Sequence, residues 1–567
     1  MTIMSDSIPT REPWRLALLS VALAACCGGA SLPKSVAQEG SPQSQDVEQT
    51  DATSHARQLY LEHCAGCHSD DGGGAATVSK YLFPRPRDLR SGKFRLVSTQ
   101  NSVPSRQDLH EVLLRGMPGS SMPPWGHLSA ADREALVDEI YRLRAAGARD
   151  FYVQMLREVE GLEDDELTEE DVQEEIDDYV TRSTTPGLSS EVPELAESNP
   201  AAIVRGRELY VSTGCVQCHG KEGKGESGIA MLDAENMPST ARDFTLGIFK
   251  GGHDPASLYR RILYGMPGSP MPSSNQLAPG QVTDMIHFIR SLSTQEQREQ
   301  VVLNRETISA RRLAGKIPRA ADALEWSTSQ TAQLRVTPLW WRNGVAPDLR
   351  VQALHDGQTL AVRISWLDQS DNAQAAFSES FEDAVAMQLV AGPSEPFLGM
   401  GSQQSPVDIW YWDANQQAQT AGYQEPYPRE VVDRYPFSEK VVDSLEINRP
   451  GARLADQPDL ALPARASGNP IVPTGGGDGA SNLAAAGPGS ATFRHPLNRA
   501  VRGQGVWQDG RWNVVLTRSL TTGPQTEGVP LTPGGRVSVA FALWDGAAGD
   551  RASQKSLTIW QDLKLDE

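Results

Sequence analysis

Two hydrophobic periods divide the chain. In the first part, apolar residues recur three and four positions apart, the spacing of a helix with one buried face. Residues 55–63 read as a helix running into Cys64, and residues 204–213 as one running into Cys215. Ala130–Arg144 places Leu136, Ile140 and Leu143 on one face behind Ser129, a residue type that caps helix N-termini. Gly280–Leu292 does the same with Val282, Met285, Ile286 and Ile289. After residue 320 the period becomes two. Leu349–Ala353 and Leu360–Trp366 alternate around the turn Asp356-Gly357, which predicts a hairpin. Trp512–Leu516 and Val537–Trp544 alternate likewise beside Gly-rich turns, so the C-terminal third is expected to be mainly β. Residues 415–495, rich in Pro, Gly, Ala and Ser, are expected to form a long excursion with little regular structure.

The helical part contains a tandem repeat. Cys64-Ala65-Gly66-Cys67-His68 is answered by Cys215-Val216-Gln217-Cys218-His219, 151 residues later. Gly-rich loops follow each, then Arg87-Asp88-Leu89 against Arg242-Asp243-Phe244, and Gly92-Lys93-Phe94-Arg95 against Gly247-Ile248-Phe249-Lys250. Each copy then carries two Met-Pro pairs, Met117 and Met122 in the first, Met266 and Met271 in the second, just before its closing helix. Between the copies, Glu158–Asp178 holds thirteen acidic residues and no basic one. Such a run reads as a solvated linker or exposed helix, with docking of a basic electron carrier as the functional alternative.

Composition narrows the partners. With 52 basic and 72 acidic side chains, the 567-residue chain has a formal charge of −20. It would repel phosphate backbones, so nucleic acid is not an expected partner. Arg11 and Arg15 precede a ten-residue apolar stretch, Leu16–Ala25, too short to span a bilayer and suited to an export signal. Leu23-Ala24-Ala25-Cys26 also fits a bacterial lipobox, which would make Cys26 the lipidated first residue of the mature chain. The expected location is therefore periplasmic or otherwise extracytoplasmic, with a lipid anchor. The expected organisation is a signal at 1–25, a tether at 26–53, repeat domains at 54–148 and 203–296, and an acidic linker at 149–202. A second linker at 297–324 leads to a last domain at 325–567.

An exported C-x-x-C-H carries specific chemistry. Two thiols three residues apart can add across the vinyl groups of one haem, and the adjacent histidine supplies an imidazole to the iron. A redox dithiol would call for a thioredoxin-like βαβ setting, and pooling the pairs for zinc would span two complete repeats. Covalent haem c at Cys64, Cys67 and His68, and again at Cys215, Cys218 and His219, is the expectation. A methionine thioether suits the sixth position. Met122 and Met271, next to the closing helices, are chosen over Met117 and Met266. His110 and His127 are competitors in the first copy without counterparts in the second.

These motifs resemble class I cytochrome c, which implies two small all-α domains with axial pairs His68/Met122 and His219/Met271. The last domain also resembles a family, through Phe381–Leu389, Pro396-Phe397-Leu398-Gly399-Met400-Gly401, Pro406–Trp412, Gly505–Trp512, Ala540–Gly546 and Lys555-Ser556. It is similar to the haem b-binding γ subunit of ethylbenzene dehydrogenase and related molybdenum enzymes of the dimethyl sulfoxide reductase group. That resemblance implies a β-sandwich holding one non-covalent haem b between Met400 and Lys555. By residue type alone, Met400 reads as core filler and Lys555 as a solvated strand-edge residue, since lysine binds iron only when deprotonated.

The combined expectation is a non-catalytic, three-haem electron-transfer subunit. Haem b would face the catalytic and iron–sulfur subunits of a molybdenum oxidoreductase, and the two c haems a soluble or membrane carrier. Two alternatives stand beside it: a haem enzyme or gas-binding protein with an open c site, and a dihaem cytochrome whose β domain only docks a partner.

Overall fold

The computed structural model describes residues 54–90, 93–226, 228–342, 349–373, 381–392, 395–421, 478–494, 500–522 and 528–567. The expected export segment, Cys26, the expected tether and most of the Pro/Gly-rich excursion lie outside the described residues. Among the described residues, no helix is long and apolar enough to cross a membrane.

The first repeat comprises helices α1 (54–63), α2 (Ala65–His68), α3 (Arg106–Arg115) and α4 (Ala130–Met155). Ser129 caps α4 by accepting from the Asp132 amide, as expected. Tyr60 on α1 is buried with Leu136, Val137 and Ile140 of α4. Arg57 reaches across to Glu139 at 3.1 Å, and Arg142 binds the same buried carboxylate at 2.6 Å. Helix α4 runs eleven residues beyond the expected end at Arg144. Its extension packs on α5 (Glu170–Thr184), burying Leu156, Leu167 and Ile176 and stacking Tyr152 on Tyr179 at 4.3 Å. The segment read as an acidic linker is thus a helical hairpin with its own apolar seam. Every carboxylate residue of 158–178 stays exposed.

The second repeat comprises α6 (Pro200–Ser212), α7 (Val216–His219), α8 (Pro255–Tyr264), α9 (Pro279–Ser291) and α10 (Gln295–Gln300). Helix α6 crosses α9 at Gly206, where a Cβ would stand 2.0 Å from the Asp284 carbonyl oxygen, so no side chain fits without moving the helices apart. One feature departs from the all-α expectation. A two-stranded ribbon, β1 (Met231–Leu232) and β2 (Pro238–Ser239), projects from this copy toward the first.

The C-terminal domain consists of β3 (Thr307–Arg312), β4 (Ala332–Leu334), β5 (Thr337–Pro338), β6 (Leu349–His355), β7 (Thr359–Leu367), β8 (Ala384–Val390), β9 (Val407–Asp413), helix α11 (Ala414–Ala421), β10 (Ala480–Ala485), β11 (Thr492–Phe493), β12 (Arg502–Gln508), β13 (Arg511–Ser519), β14 (Arg536–Trp544), β15 (Ser556–Leu557) and β16 (Gln561–Leu565). The expected hairpin is β6–β7, with Ala353 opposite Val362 and Gly357 at φ +88° in the turn. The main path runs β11-β10-β9-β8-β14-β16-β3-β6-β7-β13-β12. It is one hydrogen-bonded sheet folded over its own core, with Trp366, Trp410, Trp412 and Trp512 buried between its halves. Its ends meet where the Gly479 amide donates to the Gly503 carbonyl at 3.1 Å.

Two expectations change here. Strand β3 comes from the segment read as a linker, and pairs in parallel with both β16 and β6, so it joins the two halves. The far end of the excursion also supplies strands β10 and β11. A buried ion pair, Asp408–Arg518 at 2.7 Å, is completed by Arg494 at 3.2 Å and the Asn482 amide at 2.9 Å. Removing one partner of such a pair costs roughly 3–5 kcal/mol, because the other charge stays buried.

Candidate haem-binding sites

The two Cys-x-x-Cys-His segments are held by the same hydrogen bonds. Tyr60 Oη donates to the Ser69 carbonyl at 2.8 Å, and Tyr210 Oη to the Gly220 carbonyl at 2.8 Å. His68 Nδ1 lies 2.8 Å from the Arg87 carbonyl, and His219 Nδ1 lies 3.4 Å from the Arg242 carbonyl. A carbonyl can only accept, so the contact fixes the tautomer with the proton on Nδ1 and leaves Nε2 free to bind a metal. Burial lowers the pKa of both histidines, that of His219 to about 4, so the neutral imidazole is favoured. Burial pushes the Cys64 and Cys67 thiols up to about 12, which keeps them protonated.

The methionine loops are duplicated as closely. The Met117 amide donates to the Met122 carbonyl at 3.0 Å, and the Met266 amide to the Met271 carbonyl at 3.2 Å. Ser120 Oγ donates back to the Met117 carbonyl at 2.7 Å, and Ser269 Oγ to the Met266 carbonyl at 2.8 Å. Gly116 and Gly265 both sit at φ +69°, and a Cβ on either would meet a methionine carbonyl oxygen within 2.7 Å. The loop is thus a tight clasp that fixes the backbone of both methionines.

In the first copy these groups converge on a cavity of about 930 Å³. Its walls include Cys64, Cys67, His68, Met117 and Met122. Met122 also packs on the buried core of the domain, beside Trp125. Neither competing histidine lines the cavity. His110 is bound to Glu134, and His127 lies against the Trp125 ring at 5.7 Å.

The cavity does not end at the domain boundary. It continues over the C-terminal sheet to Met400 and Lys555. Strands β8, β9 and β14 present alternate residues to it, Ala384, Ala386 and Gln388, then Ile409 and Tyr411, then Ala540, Ala542 and Trp544. Val385, Met387, Trp410 and Leu543, one position away, turn into the core. Ala386 is directly opposite Ala542 in the sheet, and these small side chains leave a flat floor. Met400 sits at φ +80° in the Gly-Met-Gly turn, and its carbonyl accepts from the Gly487 amide at 2.9 Å. Lys555 lies over the Trp544 ring at 5.0 Å. Its burial pushes the ammonium pKa down to about 8, toward the neutral amine that iron ligation requires.

Donors and shape therefore fit haem at both ends of the cavity: thiols, imidazole and thioether at one, thioether and depressed lysine at the other. Backbone contacts fasten the ends together. The Leu339 amide donates to the Lys555 carbonyl at 2.9 Å, while the Leu339 carbonyl accepts from the Phe83 amide at 2.9 Å and from Ser121 Oγ at 3.3 Å. Gly66, inside the first haem motif, lies against Phe397 of the Met400 loop, and a Cβ there would be 2.9 Å from the ring. The second copy has Gln217 at this position. Sequence reading missed this asymmetry and the alanine floor, though Ala384-x-Ala386 and Ala540-x-Ala542 were visible signals.

Comparison with known proteins assigns the same three regions. Residues 51–138 match the family model for cytochrome c oxidase, cbb3-type, subunit III, and residues 203–293 that for cytochrome c. Residues 319–556 match the model for ethylbenzene dehydrogenase. The chain carries two cytochrome c domains and an ethylbenzene dehydrogenase-type domain. A Haloferax mediterranei protein, whose name provisionally assigns it as the heme subunit of a respiratory nitrate reductase, is 24% identical over 213 residues. That match covers 37% of this chain and spans about half, 54%, of the relative. Among solved structures, a chain of the reducing HAO-like protein complex of Kuenenia stuttgartiensis is 26% identical, with a TM-score of 0.35 over 42% of this chain and 96% of its own. A family 9 carbohydrate-binding module from Caldicellulosiruptor kristjanssonii has a TM-score of 0.23 at 8% identity, over 46% of this chain and 96% of its own.

Two outcomes follow for the C-terminal site. Met400→Ala is expected to lose extractable haem b while both c haems remain, and unchanged haem b content and spectrum would contradict the assignment. With Lys555 as an iron ligand, protons would compete with iron for its amine, increasingly as pH falls through about 8. Haemin affinity of b-depleted protein, titrated from pH 9 to pH 6, is expected to fall with pH, and Lys555→Met to remove that dependence.

Proposed function

We propose that the chain is a three-haem electron-transfer subunit. Haem b is held by Met400 and Lys555, and one haem c each by Cys64, Cys67, His68 and Met122, and by Cys215, Cys218, His219 and Met271. Bound haem supplies reversible one-electron transfer. The chain contributes ligands, orientation and exclusion of water. The histidine–carbonyl contacts set the free imidazole nitrogen, the methionine clasp presents a thioether that raises potential relative to a second histidine, and apolar walls limit solvent.

The observation that carries this reading is the cavity shared by the first cytochrome domain and the β domain. Its walls carry Met400 and Lys555 together with Cys64, Cys67, His68 and Met122, which supports electron exchange between the haem b and the first haem c proposed there. The reading extends to a catalytic partner. A molybdenum oxidoreductase with iron–sulfur subunits is proposed to exchange electrons at the β domain, as the ethylbenzene dehydrogenase resemblance implies; the name of the Haloferax relative, a heme subunit of a nitrate reductase, supports an oxidoreductase partner. A soluble or membrane carrier is proposed on the cytochrome side, where the exposed acidic hairpin suits a basic protein. The export segment and lipobox support an extracytoplasmic, lipid-anchored location.

Haem stoichiometry tests the reading. A pyridine haemochrome assay of natively produced protein, before and after acid–acetone extraction, is expected to give two covalent c haems and one extractable b haem per chain. Two c haems alone would leave a dihaem cytochrome with a docking domain.

A further inference from the structure

The repeat duplicates two cations as well as the ligands, and the fold brings all four copies together between the two cytochrome domains. Arg87 and Arg242 are the residues whose carbonyls hold His68 and His219. Arg95 and Lys250 occupy matching positions a few residues later. The ribbon β1–β2 places two carboxylates among them. Arg95 Nη2 meets Asp233 Oδ2 at 2.7 Å, and Arg87 Nη1 meets Glu235 Oε1 at 2.6 Å. Arg242 donates Nη2 to the Gly119 carbonyl at 2.6 Å and lies over the Trp341 ring at 4.6 Å.

Four cations thus face two carboxylates, and the excess is buried. The Nε atoms of Arg95 and Arg242 are enclosed without a partner among the described residues. Lys250 is 8% exposed, and no described residue gives it a hydrogen bond or ion pair. It belongs to the second domain, yet it lines the cavity that contains Cys64, His68 and Met122 of the first. Buried charge without a counter-ion is costly, so such a cluster calls for an anion. Each haem brings two propionate carboxylates, and Arg87 and Arg95 line the same cavity.

We propose that Lys250 is a positioning residue for the first c haem, an ammonium reaching across from the second domain to the propionates, so that both c haems share one cationic seat with Arg87, Arg95 and Arg242. The proposal rests on the reading of both Cys-x-x-Cys-His segments as haem c sites. Its physical consequence is electrostatic. A cation beside a haem favours the reduced state, which carries one less positive charge. Removing Lys250 therefore lowers the midpoint, and removing the negative charge of Asp233 raises it. The burial of Lys250 among Arg242, Arg95 and Arg87 depresses its pKa, with Asp233 opposing, and propionates would add to the opposing side.

The test is an equilibrium redox titration of the full, haem-loaded chain at pH 7, followed at the c-type α-band. Haem content is measured first by pyridine haemochrome. Lys250→Gln is expected to weaken the electron affinity of a c haem about tenfold, a fall of about 59 mV for a one-electron couple, while Lys250→Arg retains the wild-type midpoint. Asp233→Asn keeps the Oδ1 acceptor for the Glu235 and Met237 amides, and is expected to shift the midpoint upward. This opposite shift decides the matter if Lys250→Gln fails to load haem. Wild-type midpoints in all three variants, each with two c haems, would overturn the proposal, as would a fall in Lys250→Arg equal to that in Lys250→Gln. Fewer than two c haems in the wild-type chain would instead overturn the reading on which it rests.

Discussion

The contact on which the arrangement depends is the packing of Gly66 against Phe397. The absence of a side chain at Gly66 lets the first Cys-x-x-Cys-His segment approach the Met400 loop, and the cavity is lined by residues from both domains. Hydrogen bonds through Leu339 tie the Lys555 backbone to the loop of Met122. Two sets of candidate iron ligands from unrelated folds are thereby held in one enclosure. Apolar walls strengthen electrostatic interactions inside, which is why one buried lysine can be shifted toward its neutral form and another can be expected to tune a potential.

Duplication gave both cytochrome domains the same internal clasp, and divergence gave them different neighbours. The tyrosine–carbonyl, histidine–carbonyl and methionine-loop bonds recur copy by copy. Position 66 and its counterpart 217 differ because only the first copy meets the β domain there. Arg95 and Lys250 differ in type but share a position and a common interface. Within each copy the repeat preserves what holds a haem. Between copies it has altered what surrounds one.

Much of this was legible in the sequence. The C-x-x-C-H spacing, the Met-Pro duplication and the Ser129 cap of the first closing helix are local signals, and local hydrogen bonds realise them. The hairpin at Asp356-Gly357 was equally local. Long-range features were not readable: β3 inserts in parallel between β6 and β16, partners far apart in the chain. The acidic segment, read as a solvated linker or exposed helix, does hold the exposed helix α5; its charge hid the three apolar positions, Leu156, Leu167 and Ile176, that seat α5 on α4. Lys555 illustrates the same limit. Its residue type predicts solvent exposure, and only the folded sheet shows it buried over Trp544.

The most direct test of the shared enclosure is the rate of intramolecular electron equilibration between b-type and c-type absorbance after rapid partial reduction. Gly66→Gln puts into the first motif the residue that the second already carries, so the Cys-x-x-Cys-His turn itself tolerates it. The expected result is full haem content with b-to-c equilibration slowed at least tenfold, because the glutamine forces the motif away from Phe397. An unchanged rate in fully loaded protein would contradict the account.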